Sequence, residues 1–482
     1  MSSGFNVRAA ARSAMQVQGF EAEFPPAALE ETNRANAPTV ASHPDVPDLR
    51  KLLWSSIDND STRDLDQLEE VKQLANGDIR VRVAIADVAE IVPAGSATDT
   101  HAALNTSSVY AGVETFAMLP ERLSTDLTSL VEDEDRMVVV IEFVVSKVGE
   151  FKSHDVYSAV ARNQAKLTYT NVGAWLDAGT PLPPVATQAI QQQLRLQDEA
   201  SERLREDRTR RGSLSFETIE AQPVVGEDGS INIELMRKTR ASRIIEDFMV
   251  AANVVMAQFL DEHDSPSIRR IVRKPERWNR IVALAATVGE TLPDEPDAPA
   301  LAAFLTAERV KNPDDFVELS LSIVKLLGPG QYIMHRPSDP DIGHFGLATQ
   351  YYTHSTAPNR RFVDLVTQRL LKAVLAKKPA PYTPEQLSVI ADHCTERENA
   401  ARKVERLVRK QAAAASLVNR VGDTFNAVVT GVTKNGTFVR VTSPPVEGRV
   451  LTGEEGMDVG ERVRVRLTGA DAAKGFIDFA GV

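Results

Sequence analysis

The sequence predicts an α+β protein in three parts: a short helical module over residues 1–45, a domain of mixed sheet and helices over 46–420, and a small β-barrel over 421–482. Three observations predict it. Strand-like alternation and helical periodicity interleave through the long central region. A charged, Ala-rich stretch of helical spacing, Thr383 to about Val418, closes that region. Beyond it the chain turns to short Val- and Phe-rich runs broken by Gly.

The elements follow in order. Val7 to Val17 carries apolar residues at helical spacing, and Pro25-Pro26 opens a second helix through Asn33. These two make a small helical or helix-turn-helix module, with a loosely packed arm as the alternative. Pro44 and Pro47 interrupt, and Trp54 to Ile57 reads as extended chain. Val71 to Leu74, then Asn76-Gly77, then Ile79, Val81, Val83 and Ile85 alternating with Arg80, Arg82 and Ala84, predict a hairpin with a type I′ turn. Met137 to Val145, apolar but for Glu142, predicts a buried strand, and the Pro/Asp-rich Leu292 to Pro299 a loop. After the long helix, Phe425 to Val432, a Lys434-Asn435-Gly436 turn and Phe438 to Val441 predict strands of the barrel.

At 482 residues the chain can bury a large core, and 43% hydrophobic residues is ordinary for a globular protein. No apolar run reaches the roughly 20 residues of a membrane span, and no basic-then-apolar signal opens the chain. A single cysteine, Cys394, excludes an intramolecular disulfide and a cysteine-based metal site, and suits a reducing cytoplasm. The formal net charge of −12 argues against a general nucleic-acid coat. It leaves room for a nuclease whose acidic site is reached through a local basic channel.

The densest chemistry lies at Asp58, Asp60, Asp64 and Asp66, four carboxylates within nine residues and no lysine among them. Such charges repel unless a cation sits between them, and Asp oxygens suit Mg²⁺. A solvated turn is the bland alternative, since Asp, Asn, Ser and Thr favour turns. A calcium loop is the other: counted from Asp58, oxygen-bearing residues fall at the ligand positions and Glu69 at the twelfth. Arg63 stands where that loop needs Gly, and the flanks read as strands rather than helices.

Other blocks follow at long intervals: Val83 to Val88; Thr106-Ser107-Ser108-Val109-Tyr110; Met118 to Leu130; Arg211 to Phe216; Arg243 to Met249; His344 to Leu347; and Tyr352 to Arg361. In this order and spacing they resemble the catalytic domain of the ribonuclease II / ribonuclease R (RNB) exoribonuclease family, from about residue 50 to 410. The C-terminal segment resembles that family's S1 (OB-fold) RNA-binding barrel.

The resemblance implies processive 3′→5′ hydrolysis of single-stranded RNA to nucleoside 5′-monophosphates with Mg²⁺, Mn²⁺ being a substitute. Two metal ions about 4 Å apart can activate water and stabilise the leaving 3′ oxygen. Asp58, Asp64 and Asp66 are then metal ligands, Asp66 is catalytic, and Arg360 stabilises charge on the scissile phosphate. Tyr110 and Phe216 match base-stacking aromatics. Glu246 matches a carboxylate near the terminal ribose, Arg361 a second RNA contact, and Glu405 a position on the family's long helix. Phe425 and Phe438 occupy positions where S1 barrels display RNA-facing aromatics; either could instead fill the barrel core. His344 and His354 read as structural histidines. The basic run Ser265 to Arg280, including Arg269 and Arg270, could meet phosphate, as could the arginines of Glu202 to Arg211.

Two departures stand out. The family usually has an Asp directly after the third; here it is Gln67. Its carbonyl can ligate metal but carries no charge, so weaker binding of one metal is expected, with Asp60 as a compensating acid. The family's two cold-shock-like barrels also have too little room before Asp58, which implies an open entrance tolerant of structured RNA. Expected partners are RNA 3′ ends and no membrane, with the chain a monomer. A catalytically decayed RNA-binding scaffold is the competing function.

Overall fold

The structure, a computed structural model, describes residues 5–38, 43–216, 220–225, 231–236, 238–313, 316–340, 342–433 and 436–482, with backbone alone for 220–225 and 231–236. The apolar spacing of the first residues forms helix α1 (Val7–Val17), whose N-cap Asn6 accepts from the Ala9 N–H, and α2 (Pro26–Arg34), opened by proline. Each helix is fastened to the main body. Val7, Ala11 and Met15 of α1 share a core with Val109, Phe116 and Val404. Glu31 of α2 accepts the Ala97 and Thr98 N–H groups at 2.8 and 2.9 Å. Neither helix is a loose arm.

The period-2 runs build the central sheet. Strands β1 (Ser55–Asp58), β2 (Gln67–Gln73) and β3 (Ile79–Ala86) lead to helix α3 (Ala97–Asn105) and the short hairpin β4 (Val109–Tyr110) and β5 (Thr115–Phe116). Strands β6 (Asp135–Val145), β7 (Phe151–Arg162) and β8 (Ala165–Thr168) complete the sheet. Its order is β7-β6-β3-β2-β1-β8, antiparallel except for the parallel β1–β8 pair. The β2–β3 turn is not type I′. Leu74 pairs with Asp78, leaving Ala75, Asn76 and Gly77 as a three-residue loop, and Gly77 alone of them takes positive φ, at +83°. A loop of that length needs one left-handed glycine after a type I turn, where type I′ needs two left-handed residues.

Helices α4 (Tyr169–Ala178), α5 (Gln188–Arg210) and, after strands β9 (Glu220–Val225) and β10 (Ile231–Met236), α6 (Arg240–Glu262) pack on the sheet. Ile244, Phe248 and Met256 of α6 meet Val83, Ile85 and Phe143 in one core. Strand β11 (Ser267–Ile271) pairs with β12 (Gln331–His335). Between them α7 (Trp278–Thr287), α8 (Ala298–Lys311) and α9 (Phe316–Leu327) form a satellite around Trp278, Leu305 and Phe316. Helix α10 (Phe362–Leu375) and α11 (Pro384–Leu417) follow, the latter started by a Thr383/Gln386 capping box.

The last strands, β13 (Thr424–Thr433), β14 (Gly436–Val441), β15 (Glu447–Thr452), β16 (Arg462–Asp471) and β17 (Phe476–Gly481), close a barrel in the order β13-β14-β15-β17-β16. Its core of Val429, Val439, Val465 and Phe479 is sealed by Ala414 and Leu417 of α11. The predicted turn at Lys434-Asn435 lies outside the described residues.

Candidate active site

The acidic loop joins β1 to β2, and one buried leucine aims it. Leu65 is 1% exposed; its N–H donates to Ser129 Oγ and its carbonyl accepts from the Leu130 N–H, both at 3.0 Å. Ser129 Oγ donates in turn to the Arg63 carbonyl at 2.7 Å. With Leu65 turned into the core, the alternation of extended chain sends Asp64 and Asp66 the other way.

A second loop reaches the same place from far along the chain. Thr353 Oγ1 donates to the Ile268 carbonyl at 2.6 Å, and Ser355 donates through N and Oγ to Asn253 Oδ1 at 2.8 and 2.9 Å. The Ala357 N–H donates to Asp364 Oδ1 at 2.8 Å. So braced, the Asn359 N–H donates to Asp66 Oδ1 at 3.2 Å across 293 residues of sequence. Thr128 Oγ1 holds the Asn359 side chain at 2.6 Å. Arg360 Nε lies 3.5 Å from Asp66 Oδ2, an ion pair.

Asp66 is 1% exposed. Burial is the largest influence on it, with the charge of Asp64 adding; Arg360 and the Asn359 N–H oppose them. The net effect pushes Asp66 up to about 7. Burial raises Asp64 as well, Arg360 working against it and Asp58 with it. Burial alone would lower Arg360, but Asp66, Tyr110 and Asp58 outweigh it, so its guanidinium holds its proton more tightly than usual. Asp58 is tied by Thr62 Oγ1 at 2.9 Å and by the Asn59 N–H at 2.7 Å. Gln67 Nε2 stands 3.5 Å from Asp58 Oδ2, so its amide N–H, not its carbonyl, faces Asp58. Asp60 is turned away: it is exposed and accepts from Thr170 Oγ1 at 2.9 Å.

Tyr110 also joins the group. It is 44% exposed, and the Arg360 guanidinium works against the burial that raises its hydroxyl. Its backbone N–H donates to Glu405 Oε1 at 3.2 Å. The hairpin that carries it is packed by α1 and α11. Glu246 lies on α6, half-exposed, with Lys238 Nζ 2.7 and 2.9 Å from its oxygens.

Other expected residues fall elsewhere. Phe216 packs with the satellite around Leu214 and Trp278. Arg361 is spent on a two-pronged bond to Asp364, Nε–Oδ2 2.8 Å and Nη2–Oδ1 2.7 Å, which rigidifies the loop carrying Arg360. Phe425 does not face outward: it is 5% exposed, in the barrel core, edge-on to Phe479. The pairing of Phe425 with Val465 sets that parity. Phe438, flanked by the buried Thr437 and Val439, is half-buried on the outer side. Arg269 and Arg270 are buried in ion pairs with Asp261 and Glu398, while Arg273, Lys274 and Arg280 stay exposed. His354 is half-buried with Tyr332 Oη 2.7 Å from its Nδ1, and desolvation drives its pKa well down, as it does that of His344, to about 4.

Two side chains of the site went unassigned in the sequence. Tyr169, first residue of α4, is reached by the charges of Asp58 and Glu69; burial and then those charges raise its hydroxyl. Glu69 is 0% exposed on β2, and neither carboxylate oxygen has a hydrogen-bond partner among the described residues. Burial and then the charge of Asp58 raise it strongly. The signal for Glu69 was its parity with Gln67 and Val71 on one face of β2, while its neighbour Glu70 pairs with Arg82 at 2.9 Å on the other.

Among the described residues no three His, Cys, Asp or Glu side chains close into a ready cage. Mg²⁺ does not require one, since it takes one or two carboxylates and keeps waters or phosphate oxygens. The all-oxygen donors fit such an ion, as do the buried atoms Asp66 Oδ2, Glu69 Oε1 and Glu69 Oε2, which accept no hydrogen bond among the described residues. No helix among the described residues is long and apolar enough to cross a membrane.

Comparison with known proteins gives the frame. The family model of the RNB domain matches residues 46–377, and that of the RNase II-type exonuclease C-terminal S1 domain matches 423–482. The chain is 30% identical over 464 residues to ribonuclease R 1 of Lactococcus lactis, covering 90% of this chain and 56% of that protein. It is 30% identical over 504 residues to ribonuclease R of Thermotoga maritima, covering 95% and 68%. The chain thus spans about half to two thirds of the curated relatives it matches. The fold is similar to that of Mycoplasma genitalium RNase R, solved with ribose-methylated single-stranded RNA and with double-stranded RNA. Both comparisons give a TM-score of 0.88 at 24% identity, covering 99% of this chain and 78% or 83% of the other.

Proposed function

The chain belongs to the RNB family, and from that premise we propose that it is a 3′→5′ exoribonuclease hydrolysing RNA to nucleoside 5′-monophosphates with Mg²⁺. One observation carries the reading: Arg360 and Asp66, far apart in sequence, meet 3.5 Å apart beside Asp58, Asp64 and Tyr110. An isolated acidic turn needs no buried arginine loop built onto it.

In this reading Asp58, Asp64 and Asp66 hold the metal, with Gln67 beside them. Bound Mg²⁺ supplies an activated water and takes up charge on the leaving 3′ oxygen. Arg360, always charged, offers its donors to the scissile phosphate. Its pairing with Asp66 keeps the head aimed while RNA is absent, and Arg361 fixes the loop through Asp364. Tyr110, exposed at the site's edge, stacks a base without regard to sequence. Glu246 faces the terminal ribose, where a 2′-OH contact selects RNA. On the barrel, Phe438 rather than Phe425 offers a ring to RNA. Phe216 is kept as a more distant stacking residue. Tolerance of structured RNA belongs to the same proposal, supported by the double-stranded complex of the M. genitalium enzyme that shares the fold.

The test compares linear RNA with circular RNA of the same sequence. An exonuclease consumes the linear form and releases nucleoside 5′-monophosphates by chromatography. Loss of the circle at a similar rate, or 3′-monophosphate products, would remove the reading.

A further inference from the structure

Strand β2 carries two adjacent glutamates with opposite fates. Glu70 is paired with Arg82 at 2.9 Å. Glu69, on the other face, is fully buried and has no hydrogen-bond partner for either oxygen among the described residues. A buried carboxylate in that state is costly whether ionised, since nothing offsets its charge, or neutral, since its hydroxyl has nothing to donate to. Its surroundings say what would relieve it. Glu69 sits two residues from Gln67 on the same strand face, opposite Ser55 of β1, the strand that ends at Asp58. The charges of Asp58 and Glu69 both act on the Tyr169 hydroxyl. Gln67 brings no charge to this end of the site, and its amide N–H is turned to Asp58.

We propose that Glu69 is a metal ligand of this chain, supplying from the second position along β2 the negative charge that Gln67 lacks. This rests on the metal-dependent reading of the site. With Asp58 it forms an oxygen pair for one divalent cation, the remaining positions falling to water or phosphate. The neutral Gln67 is then tolerated because the charge has been kept on the same face of the strand, one side-chain repeat further in.

The experiment uses the full chain and Mn²⁺ as probe, read by electron paramagnetic resonance and by the melting temperature with and without metal. Four proteins are compared: wild type, Glu69→Gln, Gln67→Asp, and the double variant. Glu69→Gln is expected to weaken Mn²⁺ binding about tenfold or more. It should raise the metal-free melting temperature, because an unpaired buried acid is gone, and shrink the rise that Mn²⁺ produces. In the double variant Asp at position 67 should recover most of the lost affinity. A Glu69→Gln protein that binds Mn²⁺ within about twofold of wild type overturns the assignment while leaving the metal-dependent reading intact. So does one that melts lower without metal yet gains as much from Mn²⁺ as wild type does. If wild type itself binds no Mn²⁺, the underlying reading falls and this inference with it.

Discussion

Replacing Arg360 with Gln removes the cation that holds down the proton affinity of Asp66. Two unit charges 3.5 Å apart attract by about 5 kcal/mol at an effective dielectric of roughly 20. The Arg360 side chain is 47% exposed, so solvent and salt reduce this to about 1.5–3 kcal/mol. At about 1.4 kcal/mol per pH unit, Asp66 climbs by one to two units from its value of about 7 in the metal-free protein. A metal ion must displace that proton before it binds. The pH above which affinity levels off should move up by the same one to two units. The assay is Mn²⁺ titration followed by electron paramagnetic resonance from pH 6 to 9, with Asp66→Asn as the reference that lacks this ionisation. At saturating metal the turnover of Arg360→Gln should also fall by about 10²–10³, the loss of one charge-stabilising donor. An Arg360→Gln binding profile that overlays wild type at every pH would refute the coupling between these residues.

Three further outcomes follow from the geometry. Tyr110→Ala should weaken single-stranded RNA binding by about 1–3 kcal/mol in fluorescence anisotropy while Tyr110→Phe stays near wild type, since the ring does the stacking. Without metal, the folded-state pKa of Asp66, about 7, lies above its ordinary 3.8. Its stabilising contribution is thus complete below the lower value and lost as pH rises through the higher one. Urea unfolding at pH 5 and pH 7 should show Asp66→Asn gaining on wild type by up to about 2.7 kcal/mol between the two. Phe425→Ala should destabilise the barrel by about 3–5 kcal/mol, whereas Phe438→Ala should cost about 1 kcal/mol or less and lower RNA affinity instead.

What could be read from the chain alone depended on whether a signal was local. The acidic loop announced itself because Asp58, Asp64 and Asp66 crowd into one short segment. Both N-terminal helices and the long C-terminal helix came from apolar spacing and capping residues within each stretch. Residues set by long-range pairing were harder. Phe425 and Phe438 look alike in sequence, and only the register of β13 against β16 turns the first into the core. Arg269 and Arg270 read as a basic patch until folding brings Asp261 and Glu398 to them. Arg361 likewise read as an RNA contact, yet its partner Asp364 lies one helical turn away. Glu69 was visible as a letter, but its lack of a partner depends on which strands and helices cover that face of β2.

We propose that the carboxylates and Arg360 form one working site for removing nucleotides from an RNA 3′ end. A 5′-labelled single-stranded RNA incubated with Mg²⁺ and the full chain, beside an Asp66→Asn variant, tests it most directly. Such a site gives a ladder of progressively shorter labelled products with wild type and intact, bound RNA with the variant. Binding without shortening by wild type, or an unchanged ladder with Asp66→Asn, would contradict it.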